Sequence, residues 1–355
     1  MKAKKLSALL LAVVMIFSLA ACGSKTPKTD PNATRIFTDS TGREVEVPAQ
    51  IDKVALSGPL AQIVLFALCP NKLVGVSNAW SSEAQEFLDE KYFNMPQIGQ
   101  LYGGKGELNL ESLLQSGAQV VIDVGESKGS IKEDMDSLQQ QTGIPFVHIS
   151  ADMQSYPRAY RMLGDLLGMK TEAEALATYC EKIYSRAETI ASGVEKANVL
   201  YVTGDMGQNV IAKGSYHAEI LDMLTNNLAQ VDEPSSKGTG NEVSMEQILT
   251  WNPDVVIFAP ESIYATVKDD AAWQSVTAIK NGAYYEVPFG PYNWMGFPPS
   301  VQRYLGMVWL SKLLYPNATA DYDLFADVQE YYKLFYHCDI TRAQYDALVA
   351  NSIGK

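Results

Sequence analysis

Three sets of residues in this chain have types and spacings that invite chemistry. The first is a single cysteine. Cys22 closes the run Leu19-Ala20-Ala21-Cys22, behind a positive start at Lys2, Lys4 and Lys5 and an apolar stretch from Leu6 to Leu19. This is the layout of a secretory signal, and the apolar stretch is short for a membrane span. The second is a pair of glutamates, Glu111 and Glu246, each two residues past a polar capping residue, Asn109 or Ser244. A carboxylate there can pair bidentately with an arginine of a partner, or simply complement its own helix dipole. The third is a set of aromatic and basic side chains on Gly-, Pro- and Ser-rich loops. These are Trp80, Tyr102, Lys105, Lys128, Tyr216, Tyr292 and Trp294, with Arg303 opening a helix that runs to Leu314. The rings can stack on a flat chelate or macrocycle, or pack against their own lobe. The cations can neutralise an anionic ligand, and Arg303 equally suits a structural ion pair.

Catalytic signatures do not emerge. Gly99-Gln100-Leu101-Tyr102-Gly103-Gly104-Lys105 has the spacing of a phosphate loop, but Gly106 follows where a magnesium-binding Ser or Thr belongs, and Asn94-Met95-Pro96-Gln97 precedes in place of an apolar strand. There is no Gly-x-Ser-x-Gly elbow and no His-Glu-x-x-His. His148, His217 and His337 are scattered, so a histidine metal site is not expected. Cys69, Cys180 and Cys338 are widely spaced; they read as small buried apolar residues, with one disulfide left open. The net charge is -13 over 355 residues, and removal of Met1 to Ala21 would take away three lysines and no acids. A nucleic-acid partner, which requires a basic footprint, is excluded.

Stepping along the chain, Ile36 to Pro48 alternates around Ser40-Thr41-Gly42 as a hairpin. Short apolar runs follow at Val54–Leu56, Leu73–Val76, Val120–Ile122 and Pro145–Ile149, separated by helical stretches such as Leu60–Leu68 and Leu110–Gln115. The alternation predicts an α/β unit with a mostly parallel sheet. A long helical region runs from Ser155 to Ser192, with Thr171 as a capping residue and an apolar stripe at Ala173, Leu176, Cys180, Ile183, Ala187 and Ile190. Strand patterns resume at Val199–Val202, Asp254–Phe258 and Tyr284–Val287. An internal repeat ties the halves together. Gly103-Gly104-Lys105-Gly106-Glu107-Leu108-Asn109-Leu110-Glu111-Ser112-Leu113-Leu114 has the layout of Gly238-Thr239-Gly240-Asn241-Glu242-Val243-Ser244-Met245-Glu246-Gln247-Ile248-Leu249, and a buried strand follows each.

Two resemblances follow from these residues. Leu19-Ala20-Ala21-Cys22 resembles the lipobox of bacterial lipoproteins, which implies that Cys22 becomes the first mature residue and carries a lipid. The whole of Cys22 to Lys355 resembles the substrate-binding lipoproteins of ABC importers for ferric siderophores, haem and cobalamin, the class whose lobes are joined by one long rigid helix. Thr38 to Pro48, Asn109-Leu110-Glu111 and Trp251-Asn252-Pro253-Asp254-Val255-Val256-Ile257 carry the likeness; Lys53 departs from it, where the family often has Arg. The resemblance implies a class III periplasmic-binding-protein fold: two Rossmann-like α/β lobes with mostly parallel sheets joined by that helix. The expected organisation is a signal peptide (1–21), a tether (22–35), an N-terminal lobe (36–154), a linking helical region (155–195), a C-terminal lobe (196–320) and a C-terminal helical segment (321–355). It implies that Glu111 and Glu246 dock onto arginines of a permease that works with a cytoplasmic ATPase. The chain is then expected to be a monomeric, extracytoplasmic receptor, lipid-anchored at a Gram-positive surface, without cofactor or resident metal. Its ligand is expected to be a small-molecule metal chelate, a ferric siderophore first; haem, a corrinoid or molybdate/tungstate are alternatives. A surface-anchored bilobal enzyme or chelatase is the reading from a different class.

Overall fold

The computed structural model of the chain describes residues 33–102 and 107–353. The expected signal peptide, Cys22, most of the tether and Lys105 lie outside the described residues. An antiparallel hairpin opens the fold, β1 (Thr34–Thr38) against β2 (Glu44–Pro48). Its alternation turns Phe37, Val45 and Val47 inward, and Gly42 takes the positive φ of the turn, 78°. Asp39 closes that turn by accepting from the Thr41 and Arg43 amides at 2.9 and 3.0 Å. Arg43 in turn bonds Asp39 at 3.1 Å and the Phe146 carbonyl at 2.8 Å, which pins the hairpin to the first lobe.

That lobe runs through β3 (Val54–Leu56), α1 (Pro59–Leu68), α2 (Leu110–Ser116), β4 (Val120–Gly125), α3 (Ile131–Thr142) and β5 (Phe146–Ser150). The three strands form a parallel sheet in the order β3-β4-β5. The expected strand at Leu73–Val76 does not form; only isolated bridges join Val54 to Leu73 and Val76 to Gln97. Gly75 there lies so close to Ile98 and the Pro96 carbonyl that a Cβ would meet them at 2.6 and 2.7 Å. The segment is therefore wedged against an irregular loop rather than laid along a strand.

The linking region is two helices, α4 (Tyr156–Leu167) and α5 (Lys170–Gly193), packed on each other. Within the expected helical region from Ser155, Gly168, with a φ of 69°, ends α4 in a left-handed cap. Gly164 permits the close pairing, since a Cβ on it would lie 2.5 Å from Ala173. Thr171 does not cap α5, which begins at Lys170 with no side-chain cap. The stripe Ala173, Leu176, Cys180, Ile183, Ala187 and Ile190 is buried as its period requires.

The second lobe comprises β6 (Asn198–Thr203), β7 (Asn209–Val210), α6 (Glu219–Leu224), β8 (Asn226–Asn227), β9 (Asn241–Glu242), α7 (Met245–Trp251), β10 (Val255–Phe258) and β11 (Tyr284–Glu286). Its parallel strands run β6-β10-β11, with β7 and β9 antiparallel at the edge. Thus β4 and β10 each have a parallel neighbour on both sides, and each is led in by a short capped helix. Helices α8 (Arg303–Leu314) and α9 (Leu324–Phe335) finish the chain's main elements, and α9 packs back on α1 and α5. One continuous core joins α1, the linking helices, α8 and α9, so the lobes share apolar packing at their base. Cys69, Cys180 and Cys338 are free thiols, the first two buried. No helix among the described residues is long and apolar enough to cross a membrane.

Candidate functional site

In parallel α/β lobes the loops beyond the strand carboxyl ends face outward together and make ligand sites. On the first lobe this edge carries a hydrogen-bonded polar chain. Asp123 of β4 and His148 of β5 are register partners, so their side chains share one face. The Asp123 carboxylate lies 2.6 Å from His148 Nδ1 and also accepts from the Ser57 hydroxyl beyond β3. With Nδ1 protonated toward the carboxylate, His148 Nε2 is an acceptor, 2.9 Å from Ser127 Oγ and 3.2 Å from Ser150 Oγ. The two hydroxyls are 2.5 Å apart. His148 is fully buried, whereas Ser127 is exposed. A buried carboxylate is thereby connected through an imidazole to a hydroxyl at the surface of the cleft. Beside it, Tyr102 donates to Asp134 at 2.5 Å, and Lys128 lies over its ring at 5.6 Å. Burial and the Asp134 carboxylate push the Tyr102 phenol upward, so it stays a neutral donor.

The second lobe contributes the Ser215-Tyr216-His217 turn, the 235–240 loop and the segment before α8. Gly238 leaves no room for a Cβ against Phe297 and His217, so loop, ring and imidazole meet there. Phe297 is exposed and His217 buried. Beneath Tyr216 lies Arg303, whose guanidinium is fully buried, 2.6 Å from Glu219 and 4.9 Å from the Tyr216 ring centroid. It donates to the Tyr216 carbonyl at 2.8 Å. Ser215 Oγ and Arg303 Nε, both buried, have no hydrogen-bond partner among the described residues.

The base of the cleft is stapled. Tyr216 donates to the Ala151 carbonyl at 3.0 Å and Tyr304 to the Met153 carbonyl at 2.6 Å. The Met153 amide points to Glu219 at 3.4 Å. The crossover after β5 is thus gripped by three side chains from the second lobe. Gln62 and Tyr292 meet across the lobes at 3.4 Å.

The residues singled out in the sequence fall into pairs. Tyr102 sits with Lys128, Tyr216 with Arg303, and Trp80 with Tyr292, ring centroids 6.3 Å apart. Two stacking expectations need correction. Trp294 is 0% exposed, its loop tucked under α8 where Gly306 makes room for its carbonyl. Trp80 is buried against Phe66 and donates to the Tyr92 carbonyl at 2.9 Å. Both rings are committed to packing. Arg303 takes the ion-pair role rather than that of an open cation. Tyr292 is half-buried, and burial raises its phenol. Glu111 and Glu246 are exposed in the first turns of α2 and α7, beside caps in which Asn109 and Ser244 accept from the Ser112 and Gln247 amides at 2.9 and 3.1 Å. The sequence places Ser57 and Ser127 on candidate ligand loops, Ser57-Gly58-Pro59 and Glu126-Ser127-Lys128, but gives no role to Asp123, His148 and Ser150. Their signal was a polar residue interrupting an apolar strand, as in Val120-Val121-Ile122-Asp123-Val124 and Phe146-Val147-His148-Ile149. A surface groove of about 770 Å³, lined by residues from Lys170 to Lys182 with Glu330 and Leu334, lies along α5 and α9.

Comparison with known proteins adds four similarities. The sequence profile of the family described as periplasmic binding protein matches residues 63–290. An ABC transporter solute binding protein from Sulfurospirillum deleyianum shares the fold with a TM-score of 0.81 and 26% identity, covering 89% of this chain and 99% of that one. A periplasmic solute binding protein from Veillonella parvula superposes with a TM-score of 0.75 at 24% identity, over 90% of this chain and 98% of the other. The molybdate-binding protein MolA of Haemophilus influenzae is 24% identical over 90% of this chain and 95% of its own length.

Proposed function

The chain belongs to the periplasmic binding protein family, the extracytoplasmic solute receptors of ABC importers, and from that premise we propose that it captures a compact oxyanion of the molybdate type. The receptor is a transport component and not an enzyme. The observation that carries the ligand reading is the Asp123–His148–Ser127 chain. Its outer end offers two hydroxyls: one proton satisfies His148 Nε2 and the other bridges Ser127 and Ser150, and a ligand oxygen that replaces this bridge would accept that second proton. The Ser215 hydroxyl, without a partner among the described residues, supplies a further donor on the opposite lobe. With Trp80 and Trp294 held in the core, the flat platform that haem or a corrinoid needs is reduced to Tyr102 and Phe297. The similarity to a molybdate-binding protein supports the same choice. A ferric siderophore is the second reading, favoured by exposed Phe297 and the Tyr102–Lys128 pair at the rim. In either case the receptor is proposed to be held at the membrane by a lipid on Cys22 and to hand its ligand to a permease through Glu111 and Glu246.

The test is calorimetry and native mass spectrometry on residues 23–355 with molybdate, tungstate, sulfate and a ferric catecholate. One-to-one molybdate binding is expected, weakened roughly 10- to 100-fold by Ser127→Ala, the usual loss for a hydrogen bond to a charged group. Binding of the ferric catecholate alone refutes the oxyanion reading and keeps the receptor.

A further inference from the structure

Six large apolar side chains are exposed among the described residues, and two of them, Leu114 and Leu249, occupy the same place in the two lobes. Each stands three residues after Glu111 or Glu246, so carboxylate and leucine share one helical face. The two helices are built alike. Both have seven residues, both are capped by a side chain at the start, and both end in a left-handed residue, Gly117 or Asn252. Leu113 and Ile248 are the buried anchors that turn the next residue outward, leaving Leu114 52% and Leu249 40% exposed. The neighbouring surface positions differ, Ser112 against Gln247 and Gln115 against Thr250. Only the Glu and the Leu recur on the outside. Each helix leads into a strand with a parallel neighbour on both sides, β4 between β3 and β5 and β10 between β6 and β11, so each helix start is on the side of the strand carboxyl ends.

A lone exposed leucine needs no explanation. The same acid-plus-leucine pair displayed once per lobe does, because it is a surface in two copies, and its natural complement is a partner in two copies. We propose that Leu114 and Leu249 are the apolar anchors of a docking surface whose occupant is a two-fold symmetric membrane partner with two like sockets, each an apolar pocket edged by a cation. This rests on the importer reading above. Glu111 and Glu246 set register and steer the approach, and the leucines supply the desolvated contact that slows release.

The experiment measures docking of the mature chain to the importer's permease–ATPase complex in nanodiscs, with Leu114→Asp, Leu249→Asp and the double variant. Met206→Asp is the control, since Met206 is 75% exposed but has no counterpart in the other lobe. Thermal unfolding checks that each variant is folded. The expected result is roughly a tenfold loss for each leucine and a hundredfold loss for the pair, with Met206→Asp docking as the wild type does. Wild-type docking by the double variant overturns the proposal, and a loss confined to one leucine overturns the two-fold partner. Failure of the wild-type chain itself to dock overturns the importer reading, and the proposal with it.

Discussion

Replacing Glu219 by glutamine isolates the charge beneath the cleft. The wild-type carboxylate lies 2.6 Å from an Arg303 guanidinium that is fully buried, while the Glu219 side chain keeps 28% of its exposure. Glutamine keeps the shape and removes the counter-charge. Arg303 is then left with the Tyr216 carbonyl at 2.8 Å and the ring above it. Removing one partner of a buried pair costs about 3–5 kcal/mol. Because solvent reaches Glu219 and screens part of the interaction, about 2–3 kcal/mol is the expected loss. The double variant Glu219→Gln/Arg303→Met removes the stranded charge and keeps apolar volume, so it should recover about 2 kcal/mol relative to the single change. Urea unfolding at pH 7 reads both values, provided the slope with denaturant is unchanged. A Glu219→Gln loss below about 1 kcal/mol would refute the reasoning. So would a double variant no more stable than the single one, since the guanidinium would then not need its partner.

Two further outcomes follow from burial. Desolvation pushes the Cys69 thiol up to about 12 and raises Cys180 and Cys338 as well, but half-buried Cys338 is the more open to reagent. Iodoacetamide at pH 8 should therefore label Cys338 first and reach Cys69 and Cys180 only after denaturation, as read by peptide mass spectrometry; early labelling of Cys180 contradicts this packing. Burial, the largest influence, lowers His217 below its ordinary 6.5; the Gly296 and Ser236 backbone bonds and facing Glu126 oppose that shift, and Arg303 adds to it. The fold thus prefers the neutral ring. Its contribution is complete above about pH 6.5 and is lost as pH falls through the folded value. His217→Gln should flatten the stability-versus-pH slope between pH 7 and 5, and equal slopes in the two proteins would remove His217 as the cause.

What the sequence made legible was local. The repeated helices α2 and α7 announce themselves through a capping residue, a first-turn acid and an apolar run three residues on, all within a dozen positions. The polar chain is different. Asp123 and His148 lie 25 residues apart and meet only because β4 and β5 pair in parallel register. Ser57 joins them from the loop after a third strand. No spacing rule links the three before the sheet exists, although a charged or imidazole residue inside an apolar strand marks Asp123 and His148. Trp80 and Trp294 erred in the other direction. They sit on loops that look exposed in composition, yet one loop folds onto Phe66 and the other under α8, because large rings gain more from the core than from a rim. The break at Gly168 was also available locally, since a glycine followed by a short step is an ordinary helix stop.

The grip of Tyr216, Tyr304 and Glu219 on the Ala151–Met153 crossover has a consequence for traffic at the membrane. If these three contacts persist when ligand binds, the empty and the filled receptor have nearly the same outline. Every unfilled molecule then competes for the seat that a filled one needs. Uptake in such a system does not climb indefinitely with receptor abundance: it rises while the ligand is in excess, peaks when receptor and ligand are balanced, and falls as empty copies crowd the gate.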